Sequence, residues 1–350
     1  MKRFVQNLLN WYEANRRTLP WRKTKDSYRI WVAETMLQQT RVAAAKRYYE
    51  RFIEEFPTVE SLAQASLDRV LKVWEGLGYY ARARNLHCAA QIVTQEHNGV
   101  LPKDKRELLS LPGIGRYTVG AILSIAFGQD EPVLDGNIRR VLCRVFHVTE
   151  NPRLRRVERR LELLLVRLLP KGHAGTFNQA LMELGATICT PRVPRCAVCP
   201  VEELCVAKRL GVQSELPVSA PRRALPHHEV AVGVIWKGDR LLVAQRPPEG
   251  LLGGLWEFPG GKRKPDETLE ECLLREVHEE LGIIIHVKRH LTTVQHGYSH
   301  FRVTLHAFEC NWRRGKPQTL GCSDWAWVRI NQLGHYAFPR ANQKIMEALT

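Results

Sequence analysis

The chain has 350 residues, 44% of them hydrophobic, with 52 Lys and Arg against 36 Asp and Glu for a formal net charge of +16. That length exceeds one typical domain and predicts two, each with enough apolar residues for a core. No run is long and apolar enough for a membrane span, no secretory leader is expected, and the charge points to a polyanionic partner.

Helical spacing opens the chain at Phe4, Val5, Leu8, Leu9 and Tyr12, and returns from Leu62 through Val70, Leu71 and Trp74. Pro57, Gly76, Gly78, Pro102, Pro112 and Gly128 punctuate the helices. The run Gly76-Leu77-Gly78-Tyr79-Tyr80-Ala81-Arg82 mixes glycines, aromatics and a cation, which suits phosphate contact beside a stacking wedge. In Leu111-Pro112-Gly113-Ile114-Gly115 the two glycines predict a tight turn between helices. The amides left at the second helix's start can bind an anion such as a DNA phosphate, although the same pattern also makes an ordinary helix–helix turn. An apolar helix is expected over 117–127. Leu134-Asp135-Gly136-Asn137 follows, able to bring a carboxylate back to the hairpin's mouth. A basic amphipathic helix is expected from Val157 to Leu169. With no β-branched alternation anywhere in it, this region reads as all-α.

Cys189, Cys196, Cys199 and Cys205 follow with the spacing C-x6-C-x2-C-x5-C. Four thiolates closing a short loop hold either tetrahedral zinc or an iron–sulfur cluster. A disulfide knot does not fit, because the other five cysteines are scattered singly, as in a reducing cytosol. A site with four protein thiolates leaves no open position for chemistry, so the metal is expected to be structural.

The segment 216–228 carries Pro217, Pro221 and Pro226 and reads as a linker. Strand patterns follow at Val230–Trp236, Arg240–Gln245 and Phe301–Phe308, with one helix from Leu269 to Leu281. This predicts a smaller α+β domain over 229–350.

Several of these motifs together resemble a known family. Leu19-Pro20-Trp21-Arg22, Trp31-Val32-Ala33-Glu34, Met36-Leu37-Gln38-Gln39-Thr40, Glu75-Gly76-Leu77-Gly78-Tyr79-Tyr80, the hairpin through Arg116-Tyr117-Thr118 and Leu134-Asp135-Gly136-Asn137 occur in order. Residues 1–215 thereby resemble the helix-hairpin-helix base-excision glycosylases, and within them the MutY-type adenine DNA glycosylases. The resemblance implies a 4Fe–4S cluster on Cys189, Cys196, Cys199 and Cys205, within a loop over 189–205. Endonuclease III-like lyases keep a lysine nucleophile where this chain has Tyr117, so hydrolysis without strand cleavage is expected. The apolar neighbours of Glu34 would raise its pKa and keep it a proton donor. The resemblance gives Glu34 the protonation of adenine N7 and Asp135 the stabilisation of a cationic sugar, with Asn137 and Tyr117 as orienting partners. It also assigns Gln39 and Tyr79 to the duplex beside the mispair, and Arg17, Trp21, Arg22 and Glu183 to the adenine pocket.

Residues 229–350 resemble Nudix (MutT-like) domains. Their motif runs from Gly261 through Glu267, Arg275, Glu276, Val277, Glu279, Glu280 and Gly282 to Ile283, with every fixed position present. In MutY-type proteins this domain usually reads 8-oxoguanine and has lost that motif, so its survival departs from the pattern. Glu276, Glu279 and Glu280 share a helix face suited to Mg2+ and a pyrophosphate. The alternative is therefore a two-headed enzyme with pyrophosphohydrolase activity on oxidised nucleotides; a non-catalytic DNA-binding module is the third reading. Tyr298, Ser299 and His300 resemble the family's 8-oxoguanine-reading loop. The implied partner is double-stranded DNA carrying A:8-oxoguanine or A:G mispairs, bound by a monomer in the bacterial cytoplasm and not by a membrane.

Overall fold

The computed structural model describes residues 1–218 and 224–349. In chain order the helices are α1 (Lys2–Asn15), α2 (Ser27–Leu37), α3 (Val42–Glu55), α4 (Val59–Gln64), α5 (Leu67–Trp74), α6 (Ala81–Glu96), α7 (Lys105–Ser110), α8 (Arg116–Ala121), α9 (Gly136–Val145), α10 (Arg155–Leu168), α11 (Ala174–Thr187), α12 (Val206–Leu210), α13 (Leu269–Leu281) and α14 (Arg340–Met346). The strands are β1 (His227–Lys237), β2 (Arg240–Gln245), β3 (Trp256–Glu257), β4 (Gly260–Lys262), β5 (Ile284–Gly297), β6 (Arg302–Arg314) and β7 (Asp324–Val328). They gather into two compact units: Met1–Ala63 with Cys88–Arg222, and Gln64–His87 with Arg223–Thr350. Residues 219–223 of the expected linker lie outside the described residues.

The first unit is helical, as its punctuation predicts. Helix α1 buries Phe4, Leu8 and Tyr12, one face of a 3.6-residue repeat. Helix α2 is buried from Ile30 to Met36. Its start is fixed by Asp26, whose carboxylate accepts from Arg29 N–H at 3.0 Å. The helix expected over 117–127 is α8 continued by a π turn, Ile122–Ala126. Ser124 Oγ donates to Gly120 O at 2.7 Å there and accepts from Asn178 Nδ2 at 3.0 Å. Helix α9 buries Ile138, Val141, Leu142 and Val145, and each such side chain is worth about 1.5–3 kcal/mol. It passes close to α11 because position 185 is glycine: a Cβ there would lie 2.6 Å from Asn137 Cβ.

One expected helix is two. The apolar spacing from Leu62 to Trp74 continues, but the backbone breaks after α4 and restarts at α5 behind Ser66, whose hydroxyl accepts from Arg69 N–H at 3.3 Å. Serine competes with the helix for local hydrogen bonds and favours this capping role.

In the second unit the described residues form a seven-stranded sheet in the order β3-β2-β1-β6-β5, with β4 paired to β1 and β7 to β2. Strands β1 and β6 are parallel; the other pairs are antiparallel. Helix α13 covers one apolar layer with Cys272, Leu273, Val277 and Leu281, and α14 joins the other with Ala341 and Ile345. The bounds of α13 match the expected helix. Thr268 and Glu271 form a reciprocal capping box at its start, and Gly282 ends it in the left-handed region at φ 67°.

Candidate active site

A cavity of about 120 Å³ in the first unit gathers residues from five helices and the turns before them. Arg17, Trp21, Arg22, Glu34, Tyr117, Asp135, Asn137 and Glu183 all line it. Of the sequence-derived catalytic and adenine-pocket residues, none lies elsewhere.

Glu34 projects from α2 and is only 4% exposed. Tyr117, in the first turn of α8, donates its hydroxyl to Glu34 Oε2 at 2.5 Å. Burial pushes the Glu34 carboxyl up to about 7. The Tyr117 hydrogen bond opposes that shift and the charge of Asp135 adds to it. The same burial, with Glu34 and Asp135 nearby, pushes the Tyr117 hydroxyl well above its ordinary range.

Asp135 is the N-cap of α9. Its Oδ1 accepts from Ile138 N–H at 2.6 Å and its Oδ2 from Asn137 Nδ2 at 2.9 Å. Burial pushes this carboxyl up, while those donors and the Arg140 charge all favour the carboxylate. Capping explains why Asp-Gly-Asn opens the helix: the motif that starts α9 also brings a carboxylate to the cavity.

The cavity lining also holds an ion cluster built on one buried carboxylate. Glu183, 1% exposed on α11, accepts from Arg17 Nε and Nη2, both at 2.7 Å, and from Arg22 Nη2 at 2.8 Å. Burial alone would raise its pKa, but the two guanidinium groups outweigh it and hold the carboxyl at about 2. Arg22 also lies over the Tyr12 ring, 5.4 Å from its centre.

Gly113 adopts φ +76° in the α7–α8 hairpin, a conformation glycine takes without strain. Gly115 is extended and a Cβ on it would meet nothing within 4 Å, so its role is openness at the start of α8 rather than a required backbone angle. Gln39, exposed at the end of α2, has φ +59°.

The four cysteines line a second cavity with Val141, Leu184, Ile188 and Val201. Burial raises the Cys199 thiol to about 12, and Cys189, Cys205 and Cys196 each add to the rise. Among the described residues no three His, Cys, Asp or Glu side chains are gathered tightly enough for a single metal ion. Four thiolates set around a cavity fit the donor set of an iron–sulfur cluster, and equally that of a zinc ion. Arg144, 1% exposed, donates to Cys189 Sγ at 3.3 Å and to the carbonyls of Thr190 and Pro191.

Sequence reasoning missed Arg140. It donates to Cys189 O at 2.7 Å, Gly185 O at 2.7 Å and Asn137 Oδ1 at 2.9 Å, tying the cysteine loop to the Asp135 partner. Its position five residues after Asp135, on the same helix, was the available signal.

In the second unit Tyr79, 39% exposed with φ +51°, donates to or accepts from Ser299 Oγ at 2.5 Å. Arg82 lies over the rings of both Trp74 and Tyr79. Ser299 and His300 are exposed at the tip of the β5–β6 turn, whereas Tyr298 folds back onto Phe301, with ring centres 4.7 Å apart. The three residues of this loop therefore divide into two at the tip and one beneath it.

On α13, Arg275 grips Glu267 with two bonds of 2.6 and 2.9 Å and also donates to Glu276 at 2.8 Å and Glu279 at 3.0 Å. Burial, together with Glu257 and Glu276, raises Glu280 to about 8.

Comparison with known proteins gives the family of the chain. Residues 32–166 match the HhH-GPD superfamily of base excision DNA repair proteins, and residues 231–348 match the NUDIX domain. A solved structure of a thermostable thymine-DNA glycosylase is 31% identical, with a TM-score of 0.56 over 60% of this chain and 96% of that one. The class is thus DNA repair by base excision. Adenine DNA glycosylase of Homo sapiens is 36% identical over 98% of this chain and 73% of its own length. That of Buchnera aphidicola subsp. Acyrthosiphon pisum is 32% identical over 98% of this chain and 97% of its own. The chain belongs to the adenine DNA glycosylase family, hydrolases of the N-glycosidic bond whose partner is DNA.

Proposed function

We propose that the substrate is adenine paired with 8-oxoguanine or guanine in double-stranded DNA, and that a monomer in the cytoplasm removes it without cutting the strand. One observation carries this reading: buried Glu34, hydrogen-bonded by Tyr117, shares a cavity with Asp135. The adenine leaves the stack and enters that cavity, because its reacting atoms are unreachable inside the duplex. Glu34, held near neutrality, gives a proton to N7. The C1′–N9 bond breaks with its electron pair passing to the base, and carboxylate Asp135 stabilises the cationic sugar or bonds to it briefly. Water then adds to C1′, the Asp135 oxygen leaving as carboxylate where it had bonded, and the water's proton passes to the carboxylate that Glu34 became in the first step. Asn137 keeps Asp135 oriented, while Arg17, Trp21, Arg22 and Glu183 bound the base. Tyr117 carries no amine and forms no Schiff base.

In the same reading Gly113 and Gly115 admit a backbone phosphate to the hairpin. Gln39 and Tyr79 enter the duplex beside the mispair, and their positive φ angles are the kind of strain found at functional sites. Ser299 and His300 hydrogen-bond the oxidised base, with Tyr298 supporting their turn. Cys189, Cys196, Cys199 and Cys205 hold a 4Fe–4S cluster that braces the loop behind α9. Mg2+ on Glu276, Glu279 and Glu280 would have to displace Arg275 from the first two.

The test is base release and strand scission measured on A:8-oxoguanine, A:G and A:C duplexes. Faster release opposite 8-oxoguanine and guanine than opposite cytosine, with strand breaks only after alkali, is expected. Equal release from all three removes the opposite-base reading, and breaks without alkali remove monofunctional hydrolysis.

A further inference from the structure

Residues 336–338, between β7 and α14, run beside β3 and send one backbone bond that way, Ala337 O accepting from Trp256 N–H at 2.9 Å. In an extended chain, the carbonyl of 336 and the amide of 338 face the other side. Among the described residues no strand stands there. Lys72 Nζ donates to Tyr336 O at 2.9 Å, and Glu75 Oε1 accepts from Phe338 N–H at 2.8 Å. Lys72 and Glu75 also pair with each other at 2.6 Å, and both are largely shielded from solvent. One side-chain donor and one side-chain acceptor thus satisfy the two backbone groups a neighbouring strand would satisfy.

That pair sits immediately before the turn carrying Tyr79. The path between is braced: Trp74 Nε1 donates to Gly78 O at 3.1 Å, and Gly76 N–H donates to Tyr80 Oη at 3.2 Å. Further anchors hold the same segment. Asp68 accepts from Gln245 Nε2 at 2.7 Å, and Arg84 donates to Gly253 O at 2.8 Å. Leu71 packs where Gly254 has no Cβ; one added there would lie 3.0 Å from its Cδ1. The two partners of the Tyr79–Ser299 contact are therefore mounted on one sheet, through the strand-like pair at one end and the β5–β6 turn at the other.

We propose that Lys72 and Glu75 are positioning residues for opposite-base discrimination: by capping the 336–338 edge as a strand would, they set Tyr79 at bonding distance from Ser299. This rests on the roles given to Tyr79 and Ser299 above. Neither residue touches the adenine cavity, so their influence falls on the choice of opposite base.

The experiment uses the full chain with Glu75→Ala, Glu75→Gln, Lys72→Met and Ser299→Ala, and the double variant Glu75→Ala with Ser299→Ala. The readout is the ratio of single-turnover adenine release from A:8-oxoguanine and A:G duplexes, with hydrogen exchange at the Phe338 amide alongside. Glu75→Ala and Lys72→Met are expected to lower the ratio about fivefold, the worth of one ordinary hydrogen bond. Glu75→Gln, which keeps an acceptor for Phe338, falls less. Only Glu75→Ala speeds exchange at Phe338 strongly, and adding it to Ser299→Ala changes the ratio no further. If Ser299→Ala lowers the ratio while Glu75→Ala and Lys72→Met leave it intact, or if the effects simply add, the positioning role is wrong. If Ser299→Ala leaves the ratio unchanged, the loop reading has failed and the proposal falls with it. Should Glu75→Ala not fold, Glu75→Gln and Lys72→Met decide alone.

Discussion

Tyr117 donates its hydroxyl to Glu34 Oε2 across 2.5 Å, on the wall of the cavity that both residues line. The bond favours the carboxylate, yet burial is the larger effect and leaves Glu34 titrating at about 7. The result is a carboxyl that can release a proton near neutral pH, as the role proposed for it requires.

Glu34→Gln keeps the shape and an acceptor for Tyr117 but removes the transferable proton. Single-turnover adenine release should fall roughly 10²–10⁴-fold, the usual worth of a general acid, while DNA binding and folding persist. A variant within tenfold of the parent rate would take Glu34 out of the mechanism.

The pH behaviour separates two buried carboxyls. Glu34 has a raised folded pKa, so the folded protein holds a proton that the unfolded chain releases. Its contribution is full below about 4.5 and is lost as pH rises through about 7. Glu183 has a depressed one, near 2, so its contribution is present above about 4.5 and is lost as pH falls toward 2. Adenine release should decline through pH 7. Glu34→Gln should flatten the loss of stability between pH 5 and 8, by about 3 kcal/mol at most. Glu183→Gln should flatten only the acid limb. Urea midpoints at pH 3, 5 and 8 check both signs; identical slopes in parent and variants would contradict the assignment.

The residues of this cavity were reached through the resemblance that their motifs carry, and the bounds of one helix through local chemistry. Asp135 and Glu34 stood out because their motifs are dense, and α13 was bounded by Thr268 and Gly282, whose capping roles are written in their side chains. What escaped depends on distant partners. The π turn at Ile122–Ala126 is shaped by Ser124 and Asn178, 54 positions apart. Helix α14 has only two turns, and β5 shifts register three times against β6, which blurs its alternation. The placement of residues 64–87 with the C-terminal sheet rests on Asp68, Lys72, Glu75 and Arg84 meeting groups over 160 positions away, and no local pattern announces that.

Tyr117→Lys puts an amine beside Glu34 and Asp135, where related lyases carry their nucleophile. Borohydride should trap a covalent adduct between this variant and DNA, and none with the parent. A folded variant that gives no adduct would mean position 117 does not face the sugar.

Removal of everything after residue 218 leaves Glu34, Tyr117, Asp135 and the four cysteines in the helical unit, so the fragment should stay brown and still release adenine. Residues 64–87 fare differently. They lose the partners of Asp68, Lys72, Glu75 and Arg84, and Tyr79 loses Ser299. Amides of α5 should therefore exchange at least about tenfold faster than in the full chain, while those of α9 and α11 keep their protection, because local stability follows local contacts. Preference for 8-oxoguanine over guanine should drop as well, by roughly 1–3 kcal/mol for each base-edge hydrogen bond lost with Ser299 and His300. Equal protection of α5 in fragment and full chain would show that this segment does not depend on the sheet, and an undiminished 8-oxoguanine preference would place recognition in the helical unit.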